Sequence, residues 1–166
     1  ETTETSRSQT RELSESGPPL WQRWNDYGIG MLLKGKAELK QAAEAFAEVE
    51  KLGRYDGPLN LARVQFAEGD LDAATESLKR AAEMDPAPPT WTHSWLSGMV
   101  NRQQGNLRPA ADSFTAVLET RVPARGFDFS LDYVVRNELG LTLIDLAQQA
   151  DIQDQEEEYL GFLNQA

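Results

Sequence analysis

His93 is the sole histidine of the chain, and cysteine is absent. One imidazole without clustered carboxylates or thiolates makes a poor metal site, so His93 reads as a surface or packing residue. Lack of cysteine removes disulfides, thiolate chemistry, CxxCH haem attachment and cysteine-based zinc sites within these residues. Glu156-Glu157-Glu158 is acidic but lacks the alternating Asp/Asn and the Gly of a calcium loop, and reads as a solvated face. Gly28-Ile29-Gly30 has the letters of GxG but no preceding strand, and GxSxG, P-loop and HExxH patterns are missing. An enzyme is therefore not expected, nor a cofactor or a bound metal. Two kinds of residue keep a chemistry of binding. Arg63 and Arg102 can anchor a carboxylate or backbone carbonyls. Trp21, Trp24 and Tyr27 could form a ligand cage, although aromatics at helical spacing are more often core or a hydrophobic end cap.

The elements that must position these residues are helices. In Gly69 to Pro86, a Gly69-Asp70 turn precedes Leu71, Ala74, Leu78 and Ala81, the stripe of an amphipathic helix, which Met84 extends and Asp85-Pro86 ends. Pro58 to Glu68 is a second helical segment upstream. One such hairpin cannot bury both its apolar faces, and copies of it recur. Gly35, Gly69 and Gly105 mark turns 34 and 36 residues apart. Ala42, Ala74 and Ala110 follow, then Phe46, Leu78 and Phe114 four residues on, and Val49, Ala81 and Val117 three beyond. In the first helices Gly28, Ala62, Gly98 and Gly140 stand where a small residue lets a neighbouring helix approach.

This pattern resembles the tetratricopeptide repeat, over roughly Leu20 to Leu146 and best over 58–86. The resemblance implies an all-α fold, a right-handed α-solenoid of antiparallel helix pairs with about three and a half repeats. Residues 1–19 (rich in Ser, Thr, Glu and Arg) read as a flexible arm or linker, with docking of Thr10 to Ser16 as a short helix the alternative. Residues 20–166 form the repeat domain, in pairs of about 20–53, 58–86, 91–120 and an incomplete 131–166. Arg121 to Ser130 is a longer irregular connection. Leu131 to Ala150 is a fourth first-helix that runs on. After acidic Asp151 to Glu158, the residues Tyr159, Leu160 and Leu163 read as the start of an unfinished partner helix.

In the tetratricopeptide family the first helices line a concave groove that binds an extended peptide or a helix. Counting from each small residue places Asn25, Ile29, Leu32 and Leu33 on that groove in the first copy. The second copy contributes Leu59, Arg63, Phe66 and Ala67, and the third Trp95, Met99, Arg102 and Gln103. The fourth contributes Asn137, Leu141, Ile144 and Asp145. Phe66, Trp95 and Met99 form its expected centre, too apolar for an idle surface. The alternative is that these residues pack on the chain's own ends. The Lys/Asn/Arg clamp of the sub-family that grips a C-terminal carboxylate lacks its lysines here.

A net charge of −11 argues against nucleic acid or an anionic membrane as the main partner. No apolar run approaches the ~18 residues of a membrane span, so membrane insertion is not expected. The start at Glu1 points to a processed protein or a fragment. WNDYGIGMLLKGKAELKQAAEAF (residues 24–46) also resembles tetratricopeptide segments that accompany periplasmic multihaem cytochrome c proteins. That resemblance implies a multihaem cytochrome region as partner and favours a periplasmic or extracytoplasmic location over a cytoplasmic one. Two functional readings follow: a non-catalytic docking module within a larger protein or complex, or a free-standing adaptor that binds a peptide or helix in its groove.

Overall fold

The computed structural model describes residues 17–120 and 129–163. Within them the order is α1 (Leu20–Lys34), a 3-10 turn (Lys36–Glu38), α2 (Leu39–Lys51), α3 (Asp56–Glu68), α4 (Leu71–Ala82), α5 (Thr90–Gln103), α6 (Leu107–Glu119) and α7 (Phe129–Leu163). Residues 1–16 of the expected arm, and 121–128 of the expected connection, lie outside the described residues.

The turns between paired helices follow from glycine. Gly69 takes φ 86° after α3, its amide donates to the Phe66 carbonyl at 3.1 Å, and the Asp70 amide donates to that of Gln65 at 2.9 Å. Gly105 repeats this at φ 80°, with bonds to the carbonyls of Arg102 (3.0 Å) and, from Asn106, Asn101 (2.9 Å). The left-handed conformation is open to glycine without a Cβ penalty, and it satisfies carbonyls the helix end would leave bare. Asp70 then caps α4 by accepting from the Ala73 amide at 3.1 Å.

Helices so punctuated pack as α1 on α2, α3 on α4 and α5 on α6, and successive pairs stack through α2–α3 and α6–α7. The chain is an all-α solenoid of helix pairs. Its core is the repeated stripe: Ala42, Phe46, Val49, Ala74, Ala81, Ala110, Phe114 and Val117 are fully buried. Two crossings depend on the small residue. A Cβ on Gly28 would meet the Phe46 ring at 2.6 Å, and one on Gly98 the Phe114 ring at 2.5 Å.

Four boundaries differ from the sequence reading. Helix α7 begins at Phe129, inside the expected connection Arg121 to Ser130, since neither Gly nor Pro interrupts the chain from Phe129 to Glu138. Helix α3 begins at Asp56, two residues before Pro58, because a proline in the first helical turn gives up only an amide with no intrahelical partner. Gly57, expected in a connecting loop, is thereby helical and buried, and a Cβ there would run into the Glu50 backbone of α2. Helix α4 ends at Ala82, so Met84 lies beyond it. No new partner helix starts at Tyr159, since α7 is one helix through Leu163. Between Ala147 and Glu158 there is neither Gly nor Pro, and the Gln, Glu and Ala there are good helix formers.

Candidate functional site

The groove stripe divides into residues that serve the core and residues that meet solvent. Leu59 is 5% exposed and packs with Ala62, Ala74 and Leu78, so it is core and not groove. The cause is the position of α3, which is flanked by α2 and α4 and also meets α1 and α5. Ile29 and Leu32 are half-buried against Leu39, Ala42, Phe46 and Val64. Trp95 is half-buried with its ring 5.6 Å from that of Phe114, at 49°, which makes it a wall of the core beneath the expected groove centre.

Polar residues of the stripe find partners inside the chain. The Asn60 side-chain amide donates to Asn25 Oδ1 at 2.9 Å, and Arg63 Nη1 donates to Asn60 Oδ1 at 3.3 Å, joining α1 to α3. Asn60 is buried, and a buried amide needs such partners. Its signal in the sequence was one Asn in the apolar run Pro58-Leu59-Asn60-Leu61.

What remains open is a cleft of about 310 Å³ lined by Phe66, Met99, Arg102, Gln103, Glu138 and Asp145. It joins α3, α5 and α7. Arg102, however, does not stand ready for a partner's carboxylate. Its Nη1 donates to Glu138 Oε2 and its Nη2 to Asp145 Oδ2 at 3.4 Å, so the fork is taken up in holding α7 against α5. Glu138 lies one residue off the counted stripe and was missed for that reason. Beside the cleft α7 exposes Asn137, Leu141 (41%) and Ile144 (55%).

The last small residue behaves unlike its counterparts. Among the described residues, a Cβ on Gly140 would meet nothing within 4 Å, whereas Gly28 and Gly98 are each filled by a phenylalanine ring.

The family model of the tetratricopeptide repeat matches residues 59–88. The matched span is α3, α4 and the loop after them. No curated protein matches the sequence. Tetratricopeptide repeats are a non-enzymatic fold that generally mediates protein–protein interaction, and the match supports a non-catalytic interaction module. It does not bear on the multihaem resemblance, which rests on residues 24–46.

In and beside the matched segment the chemistry is that of joining helices. Arg80 Nε on α4 donates to Glu50 Oε1 on α2 at 2.8 Å, and this hydrogen bond raises the guanidinium pKa further above its ordinary value. The Ser77 hydroxyl, fully buried, donates to Gln65 Oε1 at 2.7 Å across the pair. His93 Nε2 lies 3.0 Å from the Leu78 carbonyl and ties α5 to α4. Among the described residues no group of three or more His, Cys, Asp or Glu is placed to hold a metal ion, and no helix is long and apolar enough to cross a membrane.

Proposed function

We propose that the chain is a non-catalytic docking module, working as a segment or subunit of a larger protein or complex, and that α7 is where it takes up a helix of another protein. The observation that carries this reading is the socket at Gly140, empty among the described residues. Gly28 and Gly98 stand at the same place in α1 and α5, and each seats the phenylalanine of its partner helix. Tyr133 (64% exposed) and Leu143 (51% exposed) flank Gly140 where Trp21 and Met31 flank Gly28. The occupant this surface suits is a helix like α2 or α6, with Ala, then Phe four residues on, then Val three beyond.

A helix-stapled peptide of the α2 sequence, Leu39–Lys51, is the direct probe. Titrated into the ¹⁵N-labelled chain, it should shift the Gly140 and Leu143 amides, and Gly140→Phe should abolish the effect by filling the socket. Shifts that survive Gly140→Phe, or none in the native chain, would defeat the reading.

A second reading, an adaptor that binds an extended peptide or helix in the concave groove, is favoured by the cleft itself. Phe66 and Met99 offer it an apolar floor beside exposed Leu141. Replacing Met99 by Lys would then cost partner binding while Gly140→Phe would not.

A further inference from the structure

Helices α1 and α2 enclose a cleft of about 1000 Å³ that shares no residue with the concave groove or with α7. We propose that this cleft is a second docking surface, for an amphipathic helix of a partner protein that carries arginine or lysine along one edge.

Its α1 wall is apolar and open. Leu20 is 54%, Trp24 37% and Tyr27 44% exposed, on successive turns of one face. Such a contiguous patch marks an interaction surface more often than an idle one. The two rings are set nearly at right angles, centroids 6.3 Å apart and planes at 80°. Tyr27 is held in place because its hydroxyl donates to Gln41 Oε1 of α2 at 3.0 Å. An indole or phenol ring attracts a cation over its face, and the anchoring of Tyr27 lowers the entropic cost of such a contact.

The α2 wall carries the charge. Glu44 and Glu48 line the cleft one turn apart, with buried Ala45 between them as a floor. Lys51 Nζ donates to one Glu48 oxygen at 2.6 Å, which leaves that carboxylate capacity for a further donor. Arg23 stands on the α1 side, so the occupant's cationic edge faces α2 and a carboxylate on its other edge suits Arg23. The net charge of −11 steers a basic partner toward the chain over a longer range.

The same helices already use both halves of this recognition. The Arg54 guanidinium sits 4.3 Å from the centroid of the Trp21 ring, one turn before Trp24 on α1. On α2, Glu50 accepts from Arg80 of the next pair at 2.8 Å. An arginine on an α1 indole and an arginine on an α2 carboxylate are thus contacts this chain makes. The cleft puts an indole, a phenol and two carboxylates within reach of one incoming helix.

The test uses the ¹⁵N-labelled chain 1–166 and an amphipathic helical peptide of leucine, alanine and arginine, against a control peptide with glutamate for every arginine. The arginine peptide should shift the Trp24 indole N–H, and the control should not. Trp24→Ala should weaken binding about tenfold, as loss of a desolvated cation–π contact does. Glu44→Gln with Glu48→Gln should weaken it several-fold and flatten its dependence on salt, and this pair keeps the proposal open to refutation if Trp24→Ala fails to fold. Gly140→Phe should leave it unchanged, which separates this surface from the α7 socket. Equal binding of both peptides, indifference to the carboxamide pair, or shifts confined to Met99 and Arg102 would overturn the proposal. So would binding that emerges only after Arg7→Glu and Arg11→Glu, because the occupant would then be the chain's own amino-terminal residues.

Discussion

One residue type, glycine, has opposite meanings at equivalent positions of this chain. At Gly28 and Gly98 the space a side chain would need holds a phenylalanine ring, and at Gly140 it holds nothing within 4 Å among the described residues. Gly28→Ala should therefore destabilise by about 1–3 kcal/mol, the range for forcing atoms into a packed crossing. Gly140→Ala should stabilise by about 0.5–1 kcal/mol, the ordinary gain from removing glycine inside a helix. Urea unfolding of the two variants must give opposite signs; a loss at Gly140 as large as at Gly28 would mean that its surroundings are filled. Periodicity revealed which positions are small, because spacing alone aligns them. What lies over each one depends on a neighbouring helix and is not written in the local sequence. Leu59 and Trp95 show the same limit. Both stand at the position three before the small residue, and the flanking helices bury the first and half-bury the second.

At the scale of elements, the helix hairpins were legible because their punctuation is chemical. Gly69 and Gly105 close helices, Asp70 opens one, and the Ala-Phe-Val stripe identifies the buried face. Long-range polar links were not legible, since Asn25–Asn60, Glu50–Arg80 and Arg102–Glu138 join residues some thirty or more positions apart. Among them the Arg102 clasp is the one that bridges α5 and α7 through a side chain only 26% exposed. Arg102→Ala leaves Glu138 and Asp145, two carboxylates on one helix, without the cation they share. The expected loss is about 1 kcal/mol, near the upper end for a partly exposed pair. Amide exchange should speed up from Val135 to Leu146 and stay unchanged in α1 and α2. Uniform acceleration, or none, would show that the clasp does not hold α7. A related expectation concerns the junction of α4 with α5, where contact is lighter than at the other neighbouring helices. A cleft of about 220 Å³ opens there beside Leu78, His93 and Ser97. In a nearest-neighbour array the weakest junction divides the cooperative units. Exchange should then sort α1–α4 and α5–α7 into two groups, and a single common opening energy would contradict this.

For the whole molecule, the decisive quantity is how much of α7 its neighbours can cover. Helix α6 has 13 residues and α7 has 35, or about 20 Å against about 52 Å at 1.5 Å per residue. Even perfect alignment leaves well over half of α7 beyond the reach of α6. Ile152, 63% exposed, lies on that overhang, and in the stretch packed on α6 the face turned away is open as well: Val134, Leu141, Leu143 and Ile144 are all 41–55% exposed. An apolar face left uncovered in a repeat array matches whatever would next stack upon it, including a second copy of the same chain. Residues 1–166 alone should therefore associate through α7 as concentration rises. Light scattering should show the apparent mass climbing with concentration, and Leu143→Glu together with Ile144→Lys should return it to the monomer value. Neither side chain is buried, so helical circular dichroism and the melting temperature should hold in that variant. If association persists there, the contact lies elsewhere, and the Trp24–Tyr27 cleft becomes the surface to alter next. If the native chain stays monomeric at every concentration, α7 is not adhesive by itself, and its socket would have to select its partner by the fit at Gly140 and not by exposed apolar area.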